Sequence, residues 1–100
     1  MKKRKIPILK ITTNPGINYS QLKDIPEIQH IVLNEAVKAI EDGVTKNKPS
    51  TSIFEIADSY HFVELDKKDW KPTLEKSLGY FANMEDYDKC IEIRELIGKL

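Results

Sequence analysis

The sequence predicts a small α+β domain, and three observations carry that reading. The chain has 100 residues, below the length of two ordinary domains. Ile, Leu, Val and Phe supply 28 of them, enough to form a folded core despite a charged fraction of 32%. Alternating apolar positions near the start and middle give way elsewhere to three- and four-residue spacings, so strands and helices are both expected. A domain of this size buries only about two-thirds of the surface its unfolded chain exposes, which predicts a thin core.

Taken in order, Ile6, Ile8, Leu9 and Ile11 fall on alternate faces, and Asn14-Pro15-Gly16 is a turn signal, so residues 5–13 are read as a strand. A loop is expected from there to Asp24, including the sequon Asn18-Tyr19-Ser20. Ile28, Ile31, Val32, Ala36, Ala39 and Ile40 then recur with helical spacing, Pro26 lying near the start and Gly43 just past the expected end. The polar stretch 45–50 is a connection. Residues 52–57 and 61–65, rich in Ile, Phe and Val, read as a hairpin that reverses at Asp58-Ser59.

Asp66 or Asp69 is placed to cap the next helix, and Pro72, which lacks an amide hydrogen, sets its start near Lys71. Trp70 is expected to close the corner between hairpin and helix. Leu74, Leu78 and Phe81 line one face of this helix before Asn83-Met84-Glu85 breaks it. Asp86-Tyr87 opens a last helix with Cys90, Ile91, Ile93, Ile97 and Leu100 in its apolar stripe. Asp86 and Asp88 at its amino end and Lys99 at its carboxyl end suit the helix dipole. The expected order is β-α-β-β-α-α in a single domain spanning residues 1–100.

The 16 basic and 16 acidic residues cancel, but unevenly. Lys2, Lys3, Arg4, Lys5, Lys10 and Lys23 precede the first acid, Asp24, which leaves a net −6 over residues 24–100. Residues 1–5 form a basic arm with nothing apolar beyond the initiator, so it should fray. The arm either contacts phosphates or serves only solubility. Cys90 is the one cysteine, so no internal disulfide forms and a reducing compartment is favoured. The apolar run after the basic start is broken by Pro7 and Lys10 and precedes no small-residue cleavage site, and no run reaches a membrane span. A cytoplasmic protein is expected, without a membrane partner.

Catalytic signatures are sparse. The histidines, His30 and His61, lie in a helix and a strand with no sequence reason to meet Cys90, whose apolar neighbours suit a core or interface thiol better than a reactive one. The acid pairs Glu41-Asp42 and Asp86/Asp88 lack the further oxygen ligands and turn glycine of a calcium loop. No glycine-rich phosphate loop, HExxH or CxxC occurs. Catalytic residues, metal ligands and cofactors are therefore assigned to none. Residues 52–66 hold four acids and no Lys or Arg, which disfavours base stacking on the hairpin aromatics.

Residues 74–100 resemble the UVR motif, the helical hairpin near the carboxyl ends of bacterial excision-repair proteins and of several adaptor proteins. The likeness rests on Leu74, Leu78, Ala82, Asp86-Tyr87, Cys90-Ile91, Arg94, Ile97 and Leu100. It departs from the family at Cys90-Ile91, where Ala-Ala is usual, and at Gly98 in the final turn. Leu74, Leu78 and Ala82 stand at i, i+4 and i+8, and Ala82 would permit close approach of the second helix; coincidental patterning of two amphipathic helices is the alternative. The resemblance implies a non-catalytic interaction element, often paired with another copy of itself. Carried over by residue, it places Tyr87, Cys90, Ile91, Arg94 and Ile97 at the protein interface or in locking the hairpin, with Arg94 presenting its planar fork to a partner carboxylate or pairing with a nearby acid.

The expected function is that of a small, non-enzymatic adaptor or regulatory protein of a bacterium or bacteriophage, bound to another protein or to a second copy of itself. The alternative is a nucleic-acid-associated accessory factor in which Lys2, Lys3, Arg4 and Lys5 neutralise phosphates.

Overall fold

The computed structural model describes residues 5–10, 18–57 and 61–100. Three strands, β1 (Ile8–Leu9), β2 (Ser50–Ile56) and β3 (His61–Asp66), form one sheet in the order β1-β2-β3. Four helices join them: α1 (Tyr19–Leu22), α2 (Gln29–Thr45), α3 (Trp70–Asn83) and α4 (Tyr87–Gly98). The α+β class, the central hairpin strands and the C-terminal helix pair agree with expectation.

β2 pairs in parallel with β1 and antiparallel with β3. Its register shifts between Ser52, opposite Glu64, and Phe54, opposite Val63, so Ile53 is an extra residue. The shift resets the phase of the strand: Thr51 and Ile53 are buried ahead of it, Phe54 and Ile56 after it. Val63 and Leu65 of β3 and Leu9 of β1 join the same core, while Ile8, Glu55 and Phe62 line up in register on the open face.

α2 covers the buried face with Val32, Leu33, Ala36, Val37, Ala39 and Ile40. Thr51 sits under it and donates its hydroxyl proton to the Ala39 carbonyl at 2.9 Å. The helix does not stop before Gly43, as the sequence suggested, but runs through it to Thr45. Gly43 is buried against Trp70 and serves packing rather than termination. Trp70 turns the corner into α3, its indole N–H donating to the Leu65 carbonyl at 3.0 Å.

Several boundaries differ from the sequence reading. The first strand is two residues long, and positions 11–13 of its expected span lie outside the described residues, as do the turns at Asn14-Pro15-Gly16 and Asp58-Ser59. The expected loop at Asn18 is instead the start of α1. Asn18 accepts from the Gln21 amide, and the Gln21 side chain accepts from the Asn18 amide, both at 3.1 Å, a closed capping box. α3 starts at Trp70 after a 3-10 turn over Lys67–Asp69, and neither Asp66 nor Asp69 caps through its side chain. Thr73 and Ser77, buried within α3, donate instead to the carbonyls four residues back, at Asp69 and Thr73.

α3 and α4 pack on each other and on the core through Leu74, Ser77, Phe81, Cys90, Ile93 and Leu96. Ala82, expected to permit the close approach, is exposed. A helix turns about 100° per residue, so Phe81, seven positions after Leu74, returns to within about 20° of it, while Ala82 comes round about 80° away. The chain reverses at Glu85, which holds a left-handed backbone with φ 59°. Asp86 then caps α4, accepting from the Lys89 amide at 3.2 Å.

Candidate functional site

The five residues expected at an interface divide between the two sides of α4. Cys90 is 3% exposed, and its thiol points to the Leu78 carbonyl, 3.8 Å away, so it belongs to the α3–α4 contact and not to an accessible surface. Ile97 is half-buried against the core. Tyr87 and Ile91 are 64% and 53% exposed, and Arg94 is exposed beside them. Helical geometry explains the division. Cys90, Ile93 and Ile97 share one arc, whereas Ile91, two residues from Ile93, must point away from it; Tyr87, Ile91 and Arg94, at i, i+4 and i+7, share the other. Leu100, expected in the buried stripe, follows the end of α4 and is exposed.

Met84, in the turn before α4, is a further large apolar residue that is exposed. Sequence reasoning passed over it because it stands in a break rather than in a periodic run. The surroundings are acidic: Glu85, Asp86, Asp88 and Glu95 are exposed on this side, and Arg94 is the basic group among them. Lys89 is drawn inward, pairing with Glu92 at 3.5 Å with its ammonium 5.9 Å from the Phe81 ring centre.

His30 joins an aromatic group where α2 meets α3. Its Nδ1 lies 3.3 Å from the Tyr80 hydroxyl, and its ring stands edge-on to Phe81 at 5.6 Å. Among the described residues, no three His, Cys, Asp or Glu side chains converge to hold a metal ion, and no helix is long and apolar enough to cross a membrane. Of the basic arm, Lys5 is exposed, and Lys2, Lys3 and Arg4 lie outside the described residues.

No known protein family, characterised protein or solved structure matches the chain.

Proposed function

We propose that the chain is a non-enzymatic protein-interaction module, an adaptor or regulator whose C-terminal helical pair is UVR-like and docks another protein on the stripe Met84, Tyr87, Ile91 and Arg94. The observation that carries this reading is the two-sided apolar character of α4. One arc packs on the core, yet Tyr87 and Ile91 remain more than half exposed on the other. Adjacent large apolar side chains in water favour an occupant that removes them from it. The acids around the stripe favour a partner segment whose apolar anchors are flanked by Lys or Arg, and Arg94 offers that segment's carboxylate a bidentate site.

Ile91→Asp tests the reading. The variant is expected to keep the wild-type melting temperature, to lose the partner that wild-type protein retains from a host extract, and to abolish cross-links from α4 to that partner. Undiminished capture of the same partner would overturn the assignment. A wild-type protein that self-associates, and becomes monomeric in Ile91→Asp, would instead make a second copy the occupant.

A further inference from the structure

Three segments distant in sequence each bring a lysine to one small pocket of about 130 Å³: Lys48 after α2, Lys67 in the 3-10 turn and Lys99 at the end of α4. Main-chain hydrogen bonds set their positions. α2 ends in a Schellman motif, in which Asn47 takes a left-handed φ of 53° and the Asn47 and Lys48 amides donate back to the Val44 and Gly43 carbonyls. Lys48 is thereby folded over the helix end. The Lys67 amide donates to the Pro49 carbonyl at 2.9 Å, which ties the 3-10 turn to the segment that carries Lys48. Gly43 and the buried Trp70 line the same pocket.

The pocket has one sign. No Asp or Glu lines it, although residues 24–100 carry a net −6. Lys23, Lys38, Lys46 and Lys89 each pair with a carboxylate, whereas the ammonium groups of Lys48, Lys67 and Lys99 have no hydrogen-bond or ion-pair partner among the described residues. Nor are they taken up by the helix ends. The carbonyls of Asp42, Gly43 and Val44 in α2, and of Leu96 and Ile97 in α4, accept from main-chain amides instead.

All three lysines are exposed, so an anion reaches them from solvent with no movement of the core. Attraction to the three adds, and a dianion gains about twice what a monoanion gains from each. Size narrows the choice further. The pocket is smaller than the range of about 300–1,000 Å³ usual for sites that enclose a whole small molecule, and by liquid volume it holds about four waters. One tetrahedral oxyanion fits, and whatever it is attached to must stay outside.

We infer that this pocket binds a single dianionic phosphate group, either inorganic phosphate or the terminal group of a phosphomonoester, held by Lys48, Lys67 and Lys99. The inference goes beyond the docking role, and the pocket shares no residue with the docking stripe, so either can fail alone. The test is a titration with inorganic phosphate and with glycerol 3-phosphate at millimolar concentration and fixed ionic strength, at about pH 7.5, where a phosphomonoester is mostly dianionic. Amide NMR shifts and the fluorescence of Trp70, the single tryptophan, report binding. Dimethyl phosphate, a monoanion at this pH, and sodium chloride are the controls. Saturable shifts centred on residues 43–48, 67–70 and 96–100 are expected with at least one of the two phosphates and with neither control; the tighter of the two identifies the source. Lys67→Gln and Lys99→Gln should each weaken binding about threefold, the scale of one exposed ion pair. Lys38→Gln, exposed on α2 outside the pocket, should leave it unchanged. Absence of saturable shifts with both phosphates, equal binding of dimethyl phosphate, or an equal loss in Lys38→Gln would overturn the proposal. A stronger response to a single-stranded oligodeoxynucleotide, spreading beyond these residues, would also overturn it and make nucleic acid the ligand.

Discussion

Gly43 and Trp70 occupy one space: a methyl group added to Gly43 would lie 2.7 Å from Cη2 and 2.8 Å from Cζ2 of the indole. The ring has little room to retreat, because its N–H is bonded to Leu65 and the residue is almost wholly buried. α2, β3 and α3 are thus held at one point by the absence of a side chain. Gly43→Ala gains about 1 kcal/mol of helix propensity and loses about 1–3 kcal/mol to overpacking. A net loss of stability is expected, read as a lower urea midpoint with altered tryptophan fluorescence.

Glu85 carries the opposite opportunity. Its left-handed backbone is one that glycine adopts without penalty at the end of a helix. Glu85→Gly should stabilise the protein by about 0.5–1 kcal/mol, measured by chemical denaturation.

Cys90 is a packing residue, so Cys90→Ser should cost about 1–2 kcal/mol and leave partner binding intact. In the native protein the thiol should resist alkylation until denaturant is added. Rapid labelling of the folded protein, monitored by mass, would contradict its burial.

Ile97 tests the inner arc of α4. Ile97→Asp brings a carboxylate against Ile93 and the core, and a loss of about 1–3 kcal/mol is expected at this half-buried site. Partner binding should fall in step with the folded fraction. A folded variant of wild-type melting temperature that has lost its partner would move the docking surface to this arc.

Tyr19 should make the protein sensitive to alkali. In the unfolded chain its phenol ionises near 10.0, and burial, opposed by Thr73 and aided by the charge of Asp24, raises that value in the folded state. Between the two values the unfolded chain binds fewer protons than the native protein, so stability falls as pH rises through that window. Tyr19→Phe removes this part of the slope, and near neutral pH it is expected to be at least as stable as wild type, because it deletes an unpartnered buried hydroxyl. Urea titrations on either side of pH 10 compare the two proteins.

Elements with long apolar periods were legible in the sequence. α2 and the two hairpin strands announce themselves through repeated Ile, Val and Phe, and the break before α4 through its loss of period. Local signals were harder to weigh. Asn18 and Gln21 had capping-box spacing, but with only four helical residues between cap and turn no periodicity accompanied it. Gly43 carried an ambiguous message, since a glycine near a helix end marks either a stop or a close approach, and only the distant Trp70 decides which. On α4 the error was angular. Ile91 and Ile93 are equally apolar in sequence, yet two residues apart on a helix they cannot face the same neighbour, and Tyr87 and Ile91 emerge as the exposed pair. The lysine pocket beside Gly43 and Trp70 had no sequence signal, because its walls come from three separated elements.

The pairing of β1 with β2 also orders the events of folding. Ile8 meets Glu55 across nearly half the chain, whereas β2 and β3 are neighbours in sequence, and α4 follows α3 after a short turn. Closing the long loop costs entropy before its contacts repay it, and a two-residue strand offers few contacts. The hairpin and helical pair can therefore assemble first, with β1 as the last piece to seat and the first to leave. Fluctuations should peel this edge at a free energy below that of global unfolding, and amide exchange at Glu55 and Ala57, whose N–H groups bond to Pro7 and Leu9, would record each departure.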